Sequence, residues 1–185
     1  MKARRTGNPG EVTLELNRRD EPLMAAASVE TTSPFRLKKI LVPIDFSDCA
    51  KKALQYALPF AREHKAEITL LYVVPPAYGS GEYTGIDYAQ LEASLKVGGE
   101  NELAKLARNE VRRDIFVDTL VRVGSPTREI IETARNLPAD LIVISTHGRT
   151  GLKHVLLGSV AEHVVQRAPC PVFVVREREH EILAS

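Results

Sequence analysis

From residue 37 onward the chain alternates short apolar runs with longer stretches of helical spacing, and this alternation constrains its fold most. Ile40-Leu41-Val42 suits a strand covered on both faces and closes on Pro43-Ile44-Asp45. Ser47 can cap a helix that carries Ala50, Ala53, Leu54, Ala57 and Ala61 at helical spacing. Pro59 falls late in that helix and is expected to kink it. Residues 68–74 read as a second strand, closed by Pro75-Pro76. A loop with Gly79, Gly81 and Gly85 leads into a long helix over about 87–112, which Gly98-Gly99 interrupts. Residues 115–123 form a third strand, and Gly124-Ser125-Pro126 opens the next helix with a cap and a first-turn proline. Ile130, Ile131, Ala134 and Leu137 line the inner face of that helix. Residues 141–144, 159–167 and 172–175 are the fourth strand, the last helix and the last strand.

Five strands separated by helices imply right-handed crossovers and an open, mostly parallel α/β sheet with helices on both faces. Ligands of such sheets bind beyond the carboxyl ends of the strands, where the strand order reverses. The residues that follow each strand are therefore the candidates for function.

Residues 1–36 read differently, as a disordered N-terminal tail, and residues 178–185 as a short C-terminal one. Arg4-Arg5, Asn8-Pro9-Gly10, Arg18-Arg19-Asp20-Glu21-Pro22 and Thr31-Thr32-Ser33-Pro34 surround scattered apolar residues, too few to offset the entropy of ordering. Short order is expected only near residues 12–16. The domain itself is expected over 37–177. Lys plus Arg number 25 against 24 acids, so no whole-chain field recruits nucleic acid or an anionic membrane. No apolar run approaches a membrane span, and the basic start at Lys2, Arg4 and Arg5 lacks the apolar stretch of a signal peptide. Cys49 and Cys170 form neither a disulfide framework nor paired metal-ligand spacing. Cys170, between Pro169 and Pro171, is expected in a small apolar role rather than a reactive one. A cytoplasmic setting follows as the expectation.

After the fourth strand come Ser145-Thr146-His147-Gly148-Arg149-Thr150-Gly151-Leu152, and Gly158-Ser159-Val160 opens the final helix. Glycines let backbone amides approach a phosphate, and a helix N-terminus adds a positive dipole end. Ser159 can donate to a phosphate oxygen, cap the helix through Ser159-Val160-Ala161-Glu162, or do both. Asp45, after the first strand, can accept from ribose hydroxyls or an adenine amine, or can shape an Asx-type turn. His147 is expected to orient the loop, and Arg149 and Lys153 to be solvated. Neither the G-x-x-x-x-G-K-[ST] run nor the G-x-G-x-x-G fingerprint is present. Val123-Gly124-Ser125 also lacks the acidic residue that a phosphoacceptor domain would carry after its third strand.

Leu41-Val42-Pro43-Ile44-Asp45-Phe46-Ser47, Ser145 to Gly151, Gly158-Ser159-Val160 and Ala168-Pro169-Cys170-Pro171-Val172 together resemble the universal stress protein family. The resemblance covers about residues 37–176. It implies a Rossmann-like fold of the adenine nucleotide alpha hydrolase type, with strand order 3-2-1-4-5. The ATP-binding branch carries G-x2-G-x9-G-[ST]; here Gly148, Gly158 and Ser159 keep the spacing, and Ser145 replaces the leading glycine. By that resemblance Pro43, Ile44 and Asp45 border adenine and ribose, and Val73 and Ile144 pack the base. Ser145, Gly148, Gly158, Ser159 and Val160 line ribose and phosphates. The implied ligand is ATP, with any Mg or Mn held by its phosphates. The implied assembly is a homodimer through the last strand, whose apolar edge invites a partner. Three functions follow: a nucleotide-dependent stress-response or signalling protein, a slow ATP-hydrolysing enzyme with His147 near the phosphates, or a ligand-free dimeric adaptor.

Overall fold

The structure is a computed structural model that describes residues 2–5, 12–15, 36–76, 87–148 and 157–177. The chain divides into two compact units, Met1–Phe35 and Arg36–Ser185. In the first, β1 (Lys2–Arg5) pairs antiparallel with β2 (Val12–Glu15), in a register that sets Lys2 opposite Glu15 and Arg5 opposite Val12. The order expected near residues 12–16 thus falls largely on a strand. The strand at Lys2–Arg5 falls where a disordered tail was expected; the other expectations for that tail, and those for residues 178–185, lie outside the described residues.

The second unit runs β3 (Lys39–Pro43), α1 (Asp48–His64), β4 (Glu67–Val74), α2 (Tyr88–Glu110), β5 (Val117–Val123), α3 (Pro126–Asn136), β6 (Leu141–Ser145), α4 (Ser159–Arg167) and β7 (Val172–Val175). The five strands form one sheet in the order β5-β4-β3-β6-β7, and every pair is parallel. Counted within this unit the order is 3-2-1-4-5. From β3 the chain steps through β4 to β5, and then returns to the other side of β3 for β6 and β7. The direction reverses between β3 and β6.

The strands alternate their side chains between two cores. Leu70 and Val74 of β4 pack with Ala53, Leu54 and Ala57 of α1 and Leu103 of α2 on one face. Leu71 and Val73 pack with Ile130 and Ala134 of α3 and Ala161 and Val164 of α4 on the other. The helices follow their sequence signals. Ser47 caps α1, its Oγ accepting from the Ala50 N–H at 3.2 Å, and the helix continues through Pro59 to His64. Asp87 caps α2 by accepting from the N–H groups of Ala89 and Gln90. Gly98 and Gly99 lie inside α2 without breaking it. Gly99 is buried against Tyr72 of β4, where a Cβ would stand 2.5 Å from the ring. Among the described residues, no helix is long and apolar enough to cross a membrane.

Candidate functional site

Where the strand order reverses, backbone bonds carry the sheet past its strand ends. The Ile44 N–H donates to the Leu71 carbonyl, and the Thr146 N–H to the Val175 carbonyl, both at 2.8 Å. Beyond these ends lies a cleft of about 350 Å³, within the roughly 300–1,000 Å³ range of small-molecule sites. All ten residues singled out from the sequence line it: Pro43 at the end of β3, Ile44 and Asp45 just after it, Val73 in β4, Ile144 and Ser145 in β6, Gly148 in the loop beyond, and Gly158, Ser159 and Val160 at the start of α4. Ile44, Val73 and Ile144 are buried and make the cleft's inner wall apolar. Seven lining residues were not singled out: Leu71, Tyr72, Pro75, Pro126, Ile130, Thr146 and Ala161. Two periodicities point to three of them. Leu71 shares a strand face with Val73, and Pro126 and Ile130 stand four residues apart on one face of α3.

Asp45 is the charged residue among the described residues of the lining. Its Oδ1 accepts from the Ser47 N–H at 3.0 Å and the Ser47 hydroxyl at 2.6 Å. The Asx-type turn is therefore formed, and it sets the cap of α1. Between these two residues Phe46 has φ 67°, a left-handed conformation that an aromatic residue adopts only at a cost. Asp45 Oδ2 faces Gly148, where any Cβ would overlap it.

Gly158 is held just as closely. Its N–H donates to the Thr146 carbonyl at 2.8 Å, and a Cβ there would stand 2.8 Å from the same oxygen. Both glycines are thus required by the protein's own packing, which draws the loop against β6 and Asp45.

The capping box expected at Ser159 is not formed. The cap residue of α4 is Gly158, with φ −68° and ψ 150°, and no side chain closes that helix end. The tie between Gly158 and Thr146 puts the cap at Gly158 rather than Ser159. Ser159 is the first helical residue, exposed, and lines the cleft. The first-turn N–H groups of α4, which have no carbonyl partners within a helix, therefore lie where Gly158, Ser159 and Val160 line the cleft. Ser125 likewise occupies the cap position of α3 without a side-chain bond, and Pro126 takes the first turn as expected.

His147 lies 2.9 Å through Nδ1 from the Thr146 hydroxyl, and its carbonyl accepts from the Ser145 hydroxyl at 3.0 Å. These contacts hold the loop's own shape. Arg149, Thr150, Gly151 and Lys153 lie outside the described residues. No group of His, Cys, Asp and Glu suited to a metal occurs among the described residues. Cys170 is half-buried, and burial together with nearby Asp140 pushes its thiol pKa up. That agrees with an apolar, unreactive role.

A model of the universal stress protein family matches residues 36–176. Universal stress protein MJ0531 of Methanocaldococcus jannaschii is 38% identical over 151 residues, spanning 78% of this chain and 85% of its own. Universal stress protein YxiE of Bacillus subtilis is 34% identical over 145 residues, spanning 75% of this chain and 98% of its own. The solved structure of the M. jannaschii protein MJ0577 superposes with a TM-score of 0.68 at 30% identity, covering 79% of this chain and all of that one. With this sheet order, this cleft and these matches, the chain belongs to the universal stress protein family.

Proposed function

We propose that the cleft binds ATP and that the bound nucleotide governs a stress-response or signalling homodimer. One observation carries the reading: the first turn of α4, left without a side-chain cap, opens onto a cleft that is otherwise apolar and carries Asp45 on its β3 side. An uncapped helix N-terminus favours a phosphate through its N–H groups and dipole. Apolar side chains of Ile44, Val73 and Ile144 suit a purine face. Asp45, bordering the same wall, suits hydroxyl or amine donors of ribose or base. Any Mg or Mn would be held by the phosphates, since the described lining offers no ligand cluster. The contacts of His147 favour a loop-shaping role over that of a base for hydrolysis.

The dimer reading rests on the contrast between the sheet's two edges. β5 exposes Asp118, Thr119 and Arg122, the charged kind of edge that resists pairing. β7 offers Val172, Phe173 and Val174, all half-buried and apolar. A second copy pairing along β7 would cover them. Two free cysteines suit a cytoplasmic, reducing setting.

Mass spectrometry of small molecules released from freshly purified protein tests the ligand, with calorimetric titration of ATP, AMP and adenosine beside it. An adenine nucleotide in the released fraction and measurable binding of ATP are expected. A nucleotide-free preparation that gives no heat with any of the three would leave the cleft to the adaptor reading.

A further inference from the structure

Asp45 sits at the end of a chain of contacts that begins on the opposite face of the sheet. The cleft lies on the α3 and α4 face, where Leu71, Val73, Ile130 and Ile144 pack. Tyr72, between Leu71 and Val73, packs with the other core, together with Phe46. Its ring centroid is 4.8 Å from that of Phe46, with the planes tilted by 51°. The same ring lies against α2 at Gly99, where a Cβ would stand 2.5 and 2.7 Å from Cδ1 and Cε1. Phe46 is the residue in the left-handed conformation, directly between Asp45 and Ser47. A strained backbone conformation persists only where its surroundings hold it, and the Tyr72 ring is the aromatic surface packed against Phe46.

We propose that Gly99, acting through Tyr72 and Phe46, positions the Asp45 carboxylate in the cleft. Helix α2 thereby acts on a site with which it shares no lining residue. The glycine leaves just enough room for the ring to lie against Phe46. The ring keeps Phe46 in its left-handed conformation, and that turn aims Oδ1 at Ser47 and Oδ2 toward Gly148. All three are positioning residues. A consequence for ligand affinity rests on the nucleotide-binding reading, but the positioning itself does not.

Gly98 supplies an internal control. It is in the same helix, one residue away, and a Cβ there meets nothing within 4 Å. In a helix interior alanine is intrinsically favoured over glycine, so Gly98→Ala should raise the melting temperature. Gly99→Ala adds the same methyl group against the ring.

The experiment follows the Ser47 backbone amide by NMR in the ligand-free protein, because that N–H reports the bond to Asp45 Oδ1. It also titrates adenosine into the same variants. Gly99→Ala should move the Ser47 resonance, and Gly98→Ala should leave it in place. Adenosine affinity should fall in Gly99→Ala by roughly three- to tenfold, a part of what losing a charge-assisted hydrogen bond would cost. In an Asp45→Ala background Gly99→Ala should cause no further loss, the non-additivity expected of coupled residues. Should Gly99→Ala not fold, Tyr72→Leu probes the same link from the ring side and should move the Ser47 resonance too. A Ser47 amide unmoved by whichever variant folds overturns the positioning role. Where adenosine binds, affinity losses that simply add in the double variant overturn it as well. If the Ser47 resonance moves and wild-type protein binds no adenosine, the nucleotide reading fails and the positioning of Asp45 stands.

Discussion

The backbone N–H of Gly158 donates to the carbonyl of Thr146 across 2.8 Å, and the Cβ that glycine lacks would stand at that same distance from the oxygen. With φ at −68° the constraint is one of space, not of backbone conformation. Gly158→Ala should therefore destabilise the fold by about 1–3 kcal/mol, the usual cost of forcing an extra methyl into packed surroundings. Thermal melting checks this. An unchanged midpoint would mean that the loop yields freely at Thr146.

Ser159 offers a sharper probe of the phosphate reading, because its hydroxyl is not the helix cap. Losing a true cap would cost about 1 kcal/mol, whereas Ser159→Ala at this exposed position should change stability by less than about 0.5 kcal/mol. Affinity for ATP should fall while affinity for adenosine holds. Calorimetric titration of both ligands decides it: equal losses for the two, or none for either, would remove Ser159 from the phosphate site.

Asp45 has two separable jobs, and two substitutions divide them. Asp45→Ala removes the acceptor for Ser47 and should lower stability by about 1 kcal/mol as well as weaken adenosine binding. Asp45→Asn keeps an acceptor suited to the same turn, so its melting temperature should stay near wild type. It still loses the charge, and adenosine affinity should fall roughly fivefold, the difference between charged and neutral hydrogen bonds. Full adenosine affinity in both variants would leave Asp45 as a turn-former alone.

At the sheet edge, Val174→Lys places a cation on the apolar strand proposed to pair with a second copy. Sedimentation should show wild-type dimers at micromolar concentration and a shift toward monomer in the variant. The variant's melting curve must still report a folded chain. A wild type that sediments as a monomer would end the dimer proposal.

Much of this architecture was legible because its signals are local and repeated. Apolar runs such as Ile40-Leu41-Val42, set between helical stretches with the spacing of Ala50, Ala53, Leu54 and Ala57, leave a parallel sheet as the economical arrangement. The strand order 3-2-1-4-5, which the family resemblance implies and the structure has, then puts the ends of β3 and β6 side by side. Pro43 and Ser145 end those two strands and Ile44, Asp45 and Gly148 follow them, so their convergence on one cleft came with the strand order. The bounds of α4 were legible, and its cap was not. Ser159 with Glu162 has the form of a capping box, but the bond from Gly158 to Thr146, which joins residues from two elements, places the cap one residue earlier.

The sequence by itself determined the order of elements, the two faces of the sheet and the positions from which a ligand site could be built. These depend on periodicity and on bonds between near neighbours. Only the tertiary structure decided why Gly98 and Gly99 differ, and that Phe46 takes a left-handed turn. Adjacent residues of a helix point in different directions, and only Gly99 meets the Tyr72 ring, 27 residues away along the chain. An isolated Phe46 has every steric reason to avoid φ 67°. The packed ring beside it supplies the contact that holds it there, and a contact of that kind exists only once β4 and α2 have closed around it.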